Sequence, residues 1–322
     1  MKILIVGYYT EDTVSRIRDV FPKDWEIRAV QPGEEGNHIG DADVLIPEHI
    51  QVNEALLQKA GRLKLVQTGA GYDNVDIEAC TEHGVKAANA AGVNADAVAE
   101  HTFAMILGYY KNLPFLDAFM KQGKDEKQLY YNGAELRGKT IGIIGLGAIG
   151  RRVAAYCHAM GIHVLGYDPF VKECAEYVRL VEMEELLRES DIITVHVYLN
   201  EETRHMFRKE TFGKMKDGAL LVNTARGGII CQPDLIEALK TGMIGGACLD
   251  VFEEEPLPLD SELRKLPNVI LTPHTAGMPH VLVVSPMAMM PDGLKFHKTR
   301  YEFFRKNIEA VMAGEEVQSA LN

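Results

Sequence analysis

Residues 140–151, TIGIIGLGAIGR, constrain the fold more than any other stretch of the chain. The apolar run Thr140–Ile144 leads at once into Gly145, Gly147 and Gly150, and a helical pattern follows from Ile149 to Met160. Strand, glycine turn and helix in that order can bring a helix N-terminus to a pyrophosphate. The first glycine permits the turn, the second lets the backbone approach the ligand, and the third lets helix pack on strand. The open N–H groups at the start of the helix, with Ala148 and Ile149 in its first turn, would hold the phosphates. An empty glycine turn is the competing reading, because three glycines in six residues arise by chance in a chain with 29 of them. A second apolar run, His163–Tyr167, ends in Asp168, 18 residues past Gly150. An acid there accepts hydrogen bonds from adenosine ribose hydroxyls and repels a 2′-phosphate. The stretch predicts a dinucleotide site that prefers NAD to NADP.

A chain of 322 residues with 47 % hydrophobic content can fill two cores. It has no run of about 18 apolar residues, so no membrane span is expected. Its start, Lys2 followed by the short ILIV, lacks the apolar region of a signal peptide, which points to a cytosolic protein. The five cysteines (Cys80, Cys157, Cys174, Cys231, Cys248) are odd in number and form no CxxC pair. Reduced thiols and no metal site are expected. A formal charge of −12 argues against a nucleic-acid partner, which needs a basic footprint. A small anionic substrate remains compatible if local arginine or backbone N–H groups oppose the global field.

Apolar runs at 3–6, 44–46, 63–66 and 85–88 alternate with helix-like stretches at 11–21, 53–60 and 76–83, which implies a first parallel α/β unit. Within it, Thr68-Gly-Ala-Gly-Tyr-Asp-Asn-Val-Asp76 follows a strand. Gly69 and Gly71 suit a tight turn, and the same loop can offer backbone N–H groups to a carboxylate. Residues 93–121 read as one long helical pattern with a break at Pro114, and His101 reads as a helix-face histidine. Beyond the glycine turn, strands are expected at 191–197, 219–223, 246–250 and 269–272.

Three of these strand ends carry chemistry. Arg226 follows one in NTARGG, an acidic run follows the next in DVFEEEP, and His274 follows the last in TPHTAG. Each has a structural alternative: a surface ion pair, a solvated acidic run, a histidine satisfied by its turn. Together they put an arginine, a carboxylate and a histidine on the edge of a doubly wound sheet where ligands bind. Hydride reduction of a carbonyl needs a cation to polarise it, a proton donor, and a group that orients the donor.

In their order along the chain, these motifs resemble the D-isomer-specific 2-hydroxyacid dehydrogenase family. The likeness runs from about Val66 to Gly277 through GAGYDNVD, VAEHTFAMIL, LRGKTIGIIGLGAIGRRVA, DIITVHVYLNEETRHMF, KDGALLVNTARGGI, GACLDVFEEEP and LTPHTAG. The resemblance implies an α/β fold of two doubly wound domains. A Rossmann NAD-binding domain, residues 99–284, is inserted into a flavodoxin-like substrate domain formed by 1–98 and 285–322. It replaces a reading in chain order that leaves the tail in the nucleotide domain. By the same resemblance the activity is NAD-dependent reduction of a small 2-keto acid to a D-2-hydroxy acid. Arg226 would clamp the substrate, His274 would exchange the proton, and Glu255 would keep His274 protonated, while Glu253 and Glu254 are solvated. The Ala70 and Gly71 N–H groups would complete carboxylate binding, which favours the second reading of that loop. NAD would be held by Gly145, Gly147, Ala148, Ile149, Gly150 and Asp168, with His196, Val197, Tyr198 and Thr203 near the adenine side. Thr224, Ala225, Asp250 and Gly277 complete the set, Asp250 facing the carboxamide. A homodimer is implied, through the nucleotide domain and the helix after Asn94.

Two departures stand out. Tyr198 occupies a place where the family usually has proline, and the chain after Gly277 is unlike the family's short helical continuation. There, Met278, Met287, Met289 and Met290 belong either to an apolar core or dimer helix, or to an adaptable substrate wall. A relative acting on D-3-phosphoglycerate would need a cationic pocket in the N-terminal unit, where Arg62 and Lys64 lie before or within a strand. An NAD-sensing corepressor-like protein is the competitor from another class.

Overall fold

The computed structural model describes residues 1–125, 127, 129, 133–277 and 298–322. The chain divides into two compact units, Met1–Asn94 with Met278–Asn322, and Ala95–Gly277. In the first, β1 (Lys2–Val6), β2 (Glu26–Val30), β3 (Val44–Pro47), β4 (Leu65–Gln67) and β5 (Lys86–Ala88) form one parallel sheet in the order β2-β1-β3-β4-β5. Its strands are apolar almost throughout because both faces are covered. Leu4, Val6, Leu45 and Val66 pack into a core on one face. Their neighbours Ile3, Ile5, Val44, Ile46 and Leu65 pack into another, which includes Tyr301, Phe304 and Ile308 of the C-terminal helix Lys298–Ala313.

The second unit carries β6 (Thr140–Ile144), β7 (His163–Tyr167), β8 (Val178–Leu180), β9 (Ile192–Val195), β10 (Leu220–Asn223), β11 (Gly246–Leu249) and β12 (Val269–Leu271). All pair in parallel, in the order β12-β11-β10-β9-β6-β7-β8. The direction of winding reverses between β6 and β9, so the crevice at their carboxyl ends is the switch point where such sheets bind ligands.

Several expectations need correction. The boundary expected at 98/99 would cut the helix Ala95–Tyr110, whose Ala99, Met105 and Ile106 pack with Ile141 and Ile143 of β6. That packing carries the whole helix into the second unit. The boundary at 284/285 and Met278, Met287, Met289 and Met290 lie outside the described residues. The helical pattern over 93–121 is two helices, Ala95–Tyr110 and Leu113–Lys121. The break falls at Asn112, which takes a left-handed conformation (φ 51°), and Pro114 sits in the first turn of the second helix, where its missing N–H costs nothing. Two strands, β2 and β8, escaped the sequence reading. Both are edge strands, EIRAV and VRL, whose polar residues interrupt the apolar run. Among the described residues no helix is long and apolar enough to cross a membrane, and no group of His, Cys, Asp and Glu could hold a metal ion.

Candidate active site

The glycine turn after β6 is built as its three glycines require. Gly145 has φ 92°, and a Cβ there would lie 2.5 Å from the His196 carbonyl oxygen at the end of β9. A Cβ on Gly150 would overlap the Gly145 carbonyl, so the helix Ala148–Ala159 can approach the turn only with glycine at that place. Gly147 is different: it caps the helix, and a Cβ there would meet nothing within 4 Å. The chain's own packing therefore does not demand that glycine, and the open space in front of the helix N-terminus fits a pyrophosphate. Asp168, after β7, accepts from the Leu146 N–H (2.8 Å) and the Phe170 N–H (2.9 Å). These two bonds hold its carboxylate beside the turn, in place for ribose hydroxyls.

The loop after β9 turns on His196, Val197 and Tyr198. Burial pushes the His196 imidazole down to about 3, so the ring is neutral. Its Nε2 bonds to the Thr194 hydroxyl (3.0 Å), and its buried Nδ1 has no partner among the described residues. That orphaned atom on the switch-point edge is a second feature that fits a ligand there. Val197 packs against the core of the unit, and the Tyr198 ring stands half exposed. The Thr203 hydroxyl donates to the Tyr198 carbonyl (2.6 Å), closing the loop. After β10, Thr224 is held by the helix Ala95–Tyr110. Its hydroxyl is buried against Thr102 (2.9 Å) of the helix Ala95–Tyr110, so it anchors the loop from within. The Ala225 N–H is taken by the Asn223 side chain (3.0 Å).

The three chemical residues meet through close backbone packing. A Cβ on Gly227 would overlap the Phe252 backbone, so the loop carrying Arg226 lies directly on the loop carrying Glu255. Glu255 Oε1 accepts from the Phe252 N–H (3.0 Å), and Oε2 accepts from His274 Nδ1 (2.6 Å). This orients the carboxylate and leaves Nε2 as the histidine's other nitrogen. Burial opposes ionisation of Glu255, but the hydrogen bond and charge of His274, the Phe252 N–H and the Arg226 guanidinium hold its carboxyl below the usual value. His274 itself has φ 53°, and its N–H donates to the Asp250 carbonyl (2.8 Å).

Asp250 was expected to face a carboxamide. Its side chain is instead fully buried, accepting from the Thr272 hydroxyl (2.5 Å), the Thr275 N–H (2.9 Å) and the Ala276 N–H (2.8 Å). In this structure it braces the turn that presents His274. His101 joins the brace, with Nε2 3.0 Å from the Thr272 hydroxyl. Glu253 is exposed, as expected, but it is not without partners. It pairs with His205 (2.6 Å) and accepts from the Gln232 N–H (2.9 Å), tying the acidic loop down beside Glu255. Gly277 closes the described run after this turn.

In the N-terminal unit, Ala70 and Gly71 follow β4 on its carboxyl edge. Gln67 is buried beneath them, donating to the Thr68 and Ala88 carbonyls and accepting from Asn307, while Asn89 donates to the Ala70 carbonyl. Among the described residues the Ala70 and Gly71 N–H groups have no acceptor within the chain. A loop fixed by its carbonyls with its N–H groups open is suited to an anion.

Two parallel sheets, a glycine turn at the switch point and an Arg–Glu–His set on the same sheet edge define the class. Residues 103–276 match the model for the D-isomer specific 2-hydroxyacid dehydrogenase NAD binding domain. The chain belongs to this family, and its second unit contains the family's NAD-binding domain. It is 45 % identical over 238 residues to D-3-phosphoglycerate dehydrogenase of Archaeoglobus fulgidus, covering 73 % of this chain and 45 % of that protein. It is 35 % identical over 290 residues to glyoxylate reductase of Korarchaeum cryptofilum, covering 87 % of each. The chain thus spans about half the length of the D-3-phosphoglycerate dehydrogenases it matches. Among solved structures, D-lactate dehydrogenase from Aquifex aeolicus, complexed with NAD and lactic acid, superposes with a TM-score of 0.80 at 30 % identity, covering 97 % of this chain and 96 % of that one.

Proposed function

We propose that the chain is an NAD-dependent reductase of a small 2-keto acid, giving a D-2-hydroxy acid reversibly. The observation that carries this reading is the His274–Glu255 hydrogen bond of 2.6 Å, set beside Arg226 on the edge that also bears the glycine turn. NADH supplies the hydride when bound, held by Gly145, Gly147, Ala148, Ile149 and Gly150 at its phosphates and by Asp168 at its ribose. Arg226 takes the substrate carboxylate and draws charge from the carbonyl oxygen, its planar fork suiting that paired geometry. His274 donates the proton to that oxygen and recovers it in the reverse direction. Glu255 holds the histidine ring in place and stabilises its charged form. The Ala70 and Gly71 N–H groups take the carboxylate of the substrate.

We further infer a cytosolic homodimer, supported by Leu113, Phe115 and Met120, which stand exposed on the helix Leu113–Lys121. A second reading, oxidation of D-3-phosphoglycerate, is favoured by the identity to the dehydrogenases of that name. The deciding experiment is a panel of 2-keto acids with NADH and NADPH in parallel and product chirality determined. Turnover with NADH to the D-product is expected. Thermal stabilisation by NADH without oxidation across the panel would instead indicate a nucleotide-sensing, corepressor-like protein.

A further inference from the structure

Glu48 follows β3, and Arg300 lies in the first turn of the helix Lys298–Ala313; the two form an ion pair at the carboxyl edge of the N-terminal sheet. Both side chains are largely buried, and the guanidinium also lies over the Phe304 ring, 5.1 Å from its centroid. Tyr9, just past β1, hydrogen-bonds to Glu48, and the Tyr301 hydroxyl donates to Tyr9 (3.3 Å). Burial opposes the Glu48 charge, but the Arg300 cation and the hydrogen bonds from Tyr9 and Arg300 hold the carboxyl below its usual value. Acid and base are therefore both ionised, and their charges cancel. The pair lies against the anion loop: a Cβ on Gly69 would stand 3.2 Å from an Arg300 terminal nitrogen.

The cations that the sequence offers as phosphate ligands are at the other end of the sheet. Arg62 pairs with Asp43 (2.8 Å), which precedes β3, and Lys64 precedes β4. Lys2 opens β1 and pairs with Asp41 (2.5 Å). On the carboxyl edge, the described ionisable groups past β1, β3 and β4 are Tyr8 and Tyr9, Glu48 and His49, and Tyr72 and Asp73, and those in the first turns of the C-terminal helix are Lys298, Arg300, Tyr301 and Glu302, with Lys298 lying 3.7 Å from the Glu302 carboxylate.

We propose that the Glu48–Arg300 pair makes the edge beside the Gly69–Gly71 loop electrically neutral and so fits the site to unphosphorylated 2-keto acids with small uncharged tails. The proposal rests on the 2-keto acid reading above. The single carboxylate of such a substrate is served by backbone N–H groups. A phosphate ester brings a further charge of about −1.5 to −2. Here that charge meets Glu48, and the arginine that would receive it is already neutralised.

The test is steady-state reduction by NADH of hydroxypyruvate and of its 3-phosphate ester, using the full chain. The kcat/KM for hydroxypyruvate is expected to exceed that for the ester by at least about 100-fold. Glu48→Gln, which removes the carboxylate charge from the pair, should narrow that ratio at least tenfold by raising turnover of the ester. Glu48→Asp keeps the charge and should keep the discrimination. Equal or better use of the ester by the unaltered chain overturns the proposal while leaving the 2-keto acid reading intact. So does a ratio unchanged in a folded Glu48→Gln protein. If neither compound is reduced, and nor is any other 2-keto acid, the reading beneath it fails as well. If Glu48→Gln does not unfold cooperatively, the wild-type ratio and the Glu48→Asp variant decide.

Discussion

At the scale of single residues, His274 and Glu255 have separable jobs. His274→Ala removes the proton donor, and positioned acid–base groups contribute on the order of 10²–10⁴ in rate. Turnover should drop by about that factor while the NADH-induced thermal shift persists, since the side chain lies on a different loop from the glycine turn. Glu255→Gln keeps the shape and the Phe252 contact but removes the charge that favours protonated histidine. In the direction of reduction kcat should fall while the NADH-induced thermal shift persists. An unchanged kcat would reduce Glu255 to a spacer. Both residues stand out in the sequence because each follows a strand of unmistakable pattern. The pairing of the exposed Glu253 is not legible in the sequence because its partner His205 comes from a separate loop, 48 residues away.

At the scale of the element, the glycine turn holds two glycines with opposite requirements. Gly150→Ala puts a Cβ into the Gly145 carbonyl and should displace the helix Ala148–Ala159. A fall in thermal stability and a loss of NADH binding are expected together. Gly147→Ala places its methyl group in open space and should leave thermal stability within about 1 kcal/mol, because it changes only a helix cap. NADH affinity should nonetheless fall at least tenfold, which titration calorimetry can measure. Unchanged affinity would mean that no ligand approaches there. The sequence marks all three glycines alike; the neighbouring atoms tell them apart. The strand β2 was missed for a related reason, since an edge strand with Glu26 and Arg28 lacks the continuous apolar pattern that reveals β1 and β3.

At the scale of the whole molecule, the shifted groups set a pH window for stability. Glu48, Asp43, Asp191 and Glu255 are held below their usual values, their partners outweighing burial. His196 is pushed down to about 3 from 6.5 by burial. The unfolded chain binds more protons than the folded one at these sites, so stability is lost as pH falls, first below about 6.5 through His196 and then below about 4.5 through the carboxylates. The buried thiols act in the opposite sense. Burial raises Cys80 to about 11 and Cys157 to about 12 from 9.0, so their contribution is complete below 9.0 and is lost as pH rises through those values. Thermal unfolding followed across pH should show a plateau between about 6.5 and 9, and His196→Asn should flatten the first part of the acid slope. Stability that rose on acidification from pH 6.5 would contradict the buried neutral histidine.

The sequence alone determined what depends on local pattern. Strand, turn and helix around Gly145, Gly147 and Gly150, and the placement of Arg226, Glu255 and His274 just past strands, follow from apolar runs and chain breakers only a few residues long. Tertiary structure decided what depends on partners distant in the chain. Asp250 became a buried brace because the turn after β12 closes over it, and Thr224 turned inward because Thr102, 122 residues away, waits behind it. Glu48 and Arg300 are 252 residues apart, and neither belongs to a motif. Whether Arg300 is a free phosphate-binding cation or half of a neutral pair depends on which side chains the fold packs around it. Burial makes that pairing consequential, because an ion left without a partner in a low-dielectric site is costly.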